Sequence, residues 1–418
     1  LRILSRQHKK LIFVTLLVGV GSGLLGMSLA LLLHYLQHIA YGYSPLQIIS
    51  NESFLEGVSA SSPERRVLIL TLCGLIAGFG WWVVYRYGKP LVSIANAIRT
   101  KQPMPFLSTT AHALLQIITI ALGSPLGREV APREVSALFS SWVSVKFGLS
   151  PMECKIMLAC GAGAGLAAVY NVPLGGALFV LEVLLCTYNR NIVLMALTSS
   201  AIAVLVSWWG LGNETIYTPP EFNLNASLIV WAIIASPIIG FFAFWFSYIA
   251  NLQRKRALRD WTMIPCCIIN FCLIGVLAIY FPELLGNGKS PAQIEFTHAL
   301  SICMSALVFI LRTLIVWTSF RVGAQGGLLT PSLANGALLG IVLGGIWNAF
   351  LPPAPLTGFA IIGASSFLAA AQKMPLTAII LIFEFTRINF VFLIPILLAV
   401  AGAVFSHQVT QRICIRTR

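Results

Sequence analysis

Apolar stretches recur along the whole chain, at residues 11–40, 67–87, 107–123, 155–170, 174–187, 192–210, 227–249, 261–281, 300–320, 332–350, 359–371, 376–385 and 390–408. A straight bilayer crossing needs about 20 apolar residues. Several stretches reach that length and others stop at 10–16. Only 10% of the 418 residues are charged and 58% are apolar, whereas charged residues make up roughly a quarter of an ordinary soluble domain. That balance excludes a cytosolic enzyme and a disordered chain. The basic residues sit at segment ends and form no long patch, which excludes a nucleic-acid binder. The expected fold is an all-α polytopic membrane protein.

The short stretches refine that expectation. A helix too short to cross is tolerated at membrane depth only where it lines a cavity buried in protein, and such broken helices point to a transport site. Charge sets the orientation. Twenty-seven Lys and Arg face thirteen Asp and Glu, a net +14. Arg2, Arg6, Lys9 and Lys10 precede the first stretch; Arg86, at the end of the second, is followed by Lys89, Arg99 and Lys101; Arg254, Lys255, Arg256 and Arg259 cluster near 250–260; Arg412, Arg416 and Arg418 end the chain. Acids gather instead in the 41–66 loop (Glu52, Glu56, Glu64, opposed by Arg65 and Arg66) and in 211–226 (Glu214, Glu221). The positive-inside rule then puts both termini in the cytoplasm and these two loops outside.

An internal repeat is visible. Residues 161–182, GAGAGLAAVYNVPLGGALFVLE, align without a gap on residues 363–384, GASSFLAAAQKMPLTAIILIFE, with eight identities at a separation of 202. Each follows a Gly- and Pro-bearing break, GREVAP at 127–132 and GGLLTP at 326–331. Two related halves, about 11–210 and 227–410, are expected within one transport domain spanning 1–418, with no cytoplasmic regulatory domain. The repeat does not show whether the halves run parallel or inverted.

The breaks carry the chemistry. Glycine and proline interrupt the apolar pattern at 123–134, and an apolar run follows. A helix that starts there points unpaired N–H groups and partial positive charge into a low-dielectric space, a site for a small anion. The carboxylate of Glu129 is a natural competitor for the same amides. Ionised, it occupies them; protonated, it leaves. A salt bridge to Arg128 or Arg133, or a capping role, is the alternative. In the second break, Thr330 and Ser332 offer hydroxyl donors or a simple cap. In a third, at 87–94, Lys89 either draws anions to the inner mouth or snorkels to the headgroups.

Other chemistries find little support. Nine cysteines, an odd number without a CxxC pair, read as packing residues. His34 and His38 share a helix face but lack a third ligand, so no metal and no cofactor is expected. The serines at the breaks have no membrane His or Asp partner, and the single Asp, Asp260, falls in a loop. An intramembrane enzyme is therefore not expected.

GREVAP, the 161–182 segment, GGLLTP and the second Pro-Leu…Glu segment together resemble the CLC chloride channel and transporter family, in order, over residues 11–410. The resemblance implies an inverted-repeat fold with re-entrant helices, a homodimer, and one anion pathway per subunit in a bacterial plasma membrane, among lipid. It implies that Glu129 is the gating, proton-carrying glutamate. It implies that the anion is lined by Gly88, Lys89, Leu91 and Val92, by Gly127, Arg128, Val130 and Ala131, and by Gly327, Leu328, Leu329 and Thr330. Departures are plain. The family's Gly-Ser-Gly-Ile-Pro is Gly88-Lys89-Pro90-Leu91-Val92 here, the third motif's phenylalanine is Leu329, and Val183 stands where chloride exchangers carry an internal proton glutamate. No tyrosine follows Tyr280. These departures are similar to the fluoride-exporting branch, which implies fluoride/proton antiport; chloride/proton antiport and a passive chloride channel are the alternatives.

Overall fold

The computed structural model describes residues 6–43, 53–100, 102–297 and 300–416. The charges at Arg2, Glu52, Lys101 and Arg418 lie outside them. All regular elements among the described residues are helical. In chain order these are α1 (Arg6–Tyr41), α2 (Phe54–Ala60), α3 (Pro63–Tyr87), α4 (Ile94–Thr100), α5 (Phe106–Ala121), α6 (Val130–Lys146), α7 (Pro151–Tyr170), α8 (Pro173–Phe179) and α9 (Arg190–Leu211). They continue as α10 (Ala226–Lys255), α11 (Met263–Tyr280), α12 (Lys289–Thr297), α13 (Ile302–Arg321), α14 (Leu329–Phe350), α15 (Leu356–Gln372), α16 (Pro375–Thr386) and α17 (Leu393–Arg416).

Nine of these helices (α1, α3, α7, α9, α10, α11, α13, α14 and α17) are long and apolar enough to cross a membrane. The apolar helices α5, α15 and α16 are shorter, as is α8 with the π-turn Val180–Leu184 that continues it. The chain is thus the all-α membrane protein with interrupted helices that its apolar pattern predicts.

The chain forms two compact units. The first comprises Leu1–His34, Val83–Ile117 and Glu129–Ile216. Its centre is α7, whose glycines let neighbours approach backbone to backbone. A Cβ on Gly165 would stand 2.4 Å from the Pro132 carbonyl oxygen of α6, and one on Gly163 2.5 Å from the Gly176 oxygen of α8. Membrane helices lack a hydrophobic force between them and gain from such close packing. Capping fixes where α7 begins: the Ser150 hydroxyl accepts from the Glu153 N–H, and the Glu153 carboxylate accepts from the Ser150 N–H.

The second unit comprises Tyr35–Trp82, Ile118–Arg128 and Tyr217–Arg418. Here α14 and α15 meet through Gly336, Gly340 and Gly363; a Cβ on Gly340 would stand 2.3 Å from the Phe359 carbonyl oxygen. Pro237 interrupts α10. It removes the N–H that would serve the Ile233 carbonyl, and the Ser236 hydroxyl donates to that carbonyl instead, at 2.9 Å.

Several charges assigned above to topology do internal work in this unit. The Arg65 Nε donates to the Ala40 carbonyl at the end of α1, at 2.6 Å. Arg66 is buried and donates to the carbonyls of Val58, Ser59, Ser61 and Ala278. The 41–66 loop also contains α2, opened by a reciprocal Ser53–Glu56 cap. These arginines tie together the ends of α1, α2 and α11, where helix carbonyls run out of intrahelical donors.

The internal repeat is written in the backbone. α7 ends on Asn171 at φ 55, ψ 46 and α15 on Lys373 at φ 57, ψ 43, both left-handed. Val172 (φ −129, ψ 71) and Met374 (φ −137, ψ 67) follow, and Pro173 and Pro375 open the next helices. The correspondence begins earlier than the sequence match. α5 and α13 both stop at a positive-φ glycine, Gly123 (φ 106) and Gly323 (φ 104). Past it, the Ser124 N–H reaches back to the Thr119 carbonyl and the Ala324 N–H to the Ser319 carbonyl, each at 3.0 Å. That six-to-one bond is the Schellman ending of a helix.

α12 lies between the spans α11 and α13 and buries Glu295 completely. The Ser305 hydroxyl donates to its Oε1 at 2.7 Å and the Leu300 N–H to its Oε2 at 3.1 Å. Burial nevertheless pushes this carboxyl up to about 7. A carboxyl raised in the folded state contributes stability that is complete below the unfolded value, about 4.3, and is lost as pH rises through the folded one. Glu295→Gln removes that dependence. The detergent melting temperature of the parent minus that of the variant is expected to fall between pH 5 and pH 8; a constant difference would contradict the assignment.

Candidate anion and proton site

In the second unit the two breaks meet. Gly127 and Gly327 form an isolated antiparallel bridge: the Gly127 N–H donates to the Gly327 carbonyl at 2.9 Å, and the Gly327 N–H to the Gly127 carbonyl at 2.7 Å. The two residues are 200 apart, like Gly123 and Gly323. Mutual bonding of equivalent residues on antiparallel segments is what a local two-fold produces. Only glycine fits beside it, since a Cβ on Gly326 would stand 2.5 Å from the Leu126 Cβ. The Arg254 guanidinium donates to the Gly326 carbonyl at 2.9 Å and lies over the Phe320 ring at 4.3 Å. The resemblance places Gly127 and Gly327 along the anion, and both use their own main-chain N–H groups in this bridge. Those N–H groups are engaged with each other, and the pair acts as a clamp.

The clamp leaves the start of α14 to offer donors. Leu328 is its N-cap with no side-chain hydrogen bond, and Leu329 and Thr330 form its first turn. The two hydroxyls predicted there differ. Ser332 Oγ donates to the Leu328 carbonyl and accepts from Gln372 Nε2 at 3.2 Å. Thr330 Oγ1 is buried and has no hydrogen-bond partner among the described residues. Arg128 is buried as well.

In the first unit, Glu129 is the N-cap residue of α6, at φ −68 and ψ −21, and only 1% exposed. Its side chain makes no capping bond, so the capping alternative is not what the structure adopts. Val130 and Ala131 open the helix. One turn on, Arg133 donates from Nε to the Glu129 main-chain carbonyl at 2.9 Å and lays its guanidinium over the Phe179 ring at 4.9 Å.

Beside them lies a cluster that sequence reasoning missed. Glu134 accepts from Gln116 Nε2 of α5 at 3.3 Å, and His112 Nε2 stands 3.8 Å from the same carboxylate oxygen. His112 and Gln116 are one helical turn apart inside an apolar stretch. That spacing was the available signal.

The third break lies on the surface of the first unit. Gly88 caps α3 through its N–H to the Val84 carbonyl at 3.0 Å, Lys89 is exposed, and Leu91 and Val92 are half-buried. Val92 packs on the hydrophobic core.

Interrupted helices whose starts are left without side-chain caps, with a buried acid at one of them, define an ion-translocating membrane protein. The chain belongs to the voltage gated chloride channel family, whose pattern matches residues 72–408. It is 26% identical over 420 residues to the H(+)/Cl(-) exchange transporter ClcA of Vibrio cholerae, covering 95% of this chain and 86% of that one. It is 27% identical over 345 residues to the voltage-gated ClC-type chloride channel ClcB of Citrobacter koseri, covering 80% and 82%. The fold is shared with a slow cyanobacterial Cl-/H+ antiporter (TM-score 0.75, 19% identity, 96% and 95% covered). It is also shared with a CLC-type fluoride/proton antiporter (TM-score 0.68, 19% identity, 97% and 98% covered).

Proposed function

We propose that this protein exchanges protons for a small anion, exporting fluoride, with Glu129 as the gate and proton carrier. The observation that carries the reading is Glu129 itself, a carboxyl sunk at the start of a membrane helix and not spent on capping it. It follows by two residues a glycine clamped to its counterpart in the other repeat. Helix starts leave their first N–H groups without intrahelical acceptors. An anion takes the amides of Val130 and Ala131 when Glu129 is protonated and gives them up when it ionises, beside Arg128.

Fluoride is the anion this reading selects because it is small and strongly hydrated. A site must replace that hydration with polar donors or the transfer is prohibitive. The buried Thr330 hydroxyl is a compact donor of the right kind. The fold shared with a fluoride/proton antiporter is consistent with this. Chloride/proton exchange is the second reading, favoured by relatives named for chloride. In either case the protein sits as a homodimer in a bacterial plasma membrane, its termini cytoplasmic, its exposed apolar side chains facing lipid or partner. The Gly88–Val92 segment, with Lys89, forms the cytoplasmic approach.

Purified protein in vesicles, followed with ion-specific and pH electrodes, tests the assignment. Fluoride efflux is expected to exceed chloride efflux at least about tenfold, a difference of about 1.4 kcal/mol, with protons moving in exchange. Chloride flux equal to or above fluoride flux would select the second reading, and anion flux without proton movement a passive channel. Thr330→Val keeps the shape and removes the donor. A hydrogen bond to an ion is worth about 1.5–3 kcal/mol, so fluoride flux is expected to fall about tenfold or more while chloride flux changes little.

A further inference from the structure

The first unit buries more ionisable groups than an anion gate needs. His112 and Gln116 project from one face of α5, and Glu134 meets them from α6. His112 is 7% exposed, Gln116 is fully buried, and the Glu134 side chain is 13% exposed. Tying α5 to α6 takes no more than a glutamine and a neutral partner. An acid and an imidazole at membrane depth are costly, and ionisable residues there are by default functional. At 3.8 Å the His112–Glu134 contact is longer than a hydrogen bond and within ion-pair range. A proton on the pair makes it an ion pair or a charge-assisted hydrogen bond, the stronger kind of contact.

The surrounding charges are few. Arg133 precedes Glu134 in α6 and is near enough to Glu129, Glu134 and Tyr170 of α7 to interact with them electrostatically. Its guanidinium lies over the Phe179 ring of α8. The charge arithmetic of this group is simple. With Glu129 ionised and one proton on the His112–Glu134 pair, the two acids, the imidazole and Arg133 sum to zero. With that proton on Glu129 and none on the pair, they again sum to zero. One proton therefore moves between the two positions without changing the buried charge, which low dielectric penalises most.

Direction follows from α7. Its end, Asn171, donates to Asn213 at 3.0 Å and to the Glu214 carbonyl at 3.2 Å, in the 211–226 loop that charge places outside. The 20-residue span α7 therefore begins inside, and so does the end of α6 at Lys146, just before it. Glu134 lies five residues toward that end from Glu129, about 7.5 Å along the axis.

We propose that His112 and Glu134, held by Gln116, form a second proton-binding site on the cytoplasmic side of Glu129, which passes its proton to and from the gate. This rests on the reading of Glu129 as the proton carrier. The test uses the parent protein, Glu129→Gln, Glu134→Gln and His112→Gln in vesicles, with fluoride and pH electrodes read together. Glu134→Gln keeps the bond to Gln116 and is expected to cut proton flux at least about tenfold, the low end of what a proton-transfer group contributes being larger still, and to raise the number of fluoride ions moved per proton. His112→Gln is expected to move the pH midpoint of proton flux by about half a unit or more.

Should Glu134→Gln not be recovered as monodisperse protein, the His112→Gln profile decides, and an unmoved midpoint overturns the proposal. Parental proton flux and pH profile in both variants, with flux lost in Glu129→Gln, would overturn this site alone and leave the gate standing. Proton flux persisting in Glu129→Gln would overturn both.

Discussion

Glu129→Gln is expected to reduce proton movement at least about 100-fold, the scale on which loss of a positioned proton-transfer group is felt, while the protein stays folded. Glutamine matches the carboxyl in size, and Glu129 makes no capping bond whose loss would loosen α6. The amide neither ionises nor carries a proton. Anion movement then proceeds uncoupled or stops, according to whether the neutral side chain clears the helix start. Simultaneous anion and pH recording from vesicles reads both quantities. Parental proton exchange in the variant would remove Glu129 from the mechanism.

The largest structural effect is expected at Gly340. A Cβ there meets backbone, not a movable side chain: the Phe359 carbonyl oxygen at 2.3 Å, its carbon at 3.0 Å and the Ala360 Cα at 3.3 Å. Gly340→Val can be accommodated only by parting α14 from α15. Overpacking of this kind costs about 1–3 kcal/mol where side chains give way, and more where they cannot. The same displacement moves the start of α14, where Thr330 stands. Heated detergent extracts run on size exclusion are expected to lose monodisperse protein at a markedly lower temperature than the parent. An unchanged melting temperature would show that the α14–α15 contact is looser than the packing distances imply.

Some features are legible in the residues alone. The membrane class follows from the number and spacing of apolar stretches, because bilayer thickness converts length directly into spanning capacity. The breaks at 123–134 and 321–332 are legible because glycine and proline act locally on the backbone. The repeat is legible over 161–182 and 363–384 because matched turn chemistry, an αL residue followed two positions on by proline, leaves matched residues. Its extension to Gly123 and Gly323 is not, since that Schellman ending demands only a glycine and tolerates different flanking residues.

Charge is the least faithful guide. Arg65, Arg66 and Arg254 count toward orientation, yet each spends donors on internal carbonyls. Hydropathy cannot tell an arginine facing headgroups from one closing a loop. Cluster membership is equally hidden: His112 and Glu134 are 22 residues apart in the chain, and their meeting depends on how α5 and α6 turn toward each other.

Residue order is enough to require a helical chain that spans a membrane repeatedly, breaks at two related points and places an acid at one of them. These follow from local backbone preference and from the partition of side chains between water and lipid, both readable residue by residue. Three-dimensional packing is what joins Gly127 to Gly327, occupies the Ser332 hydroxyl while leaving that of Thr330, and brings an imidazole to a carboxyl one and a half turns from Glu129. Which donor finds which acceptor depends on distance between segments far apart in the chain, and no local rule encodes that distance.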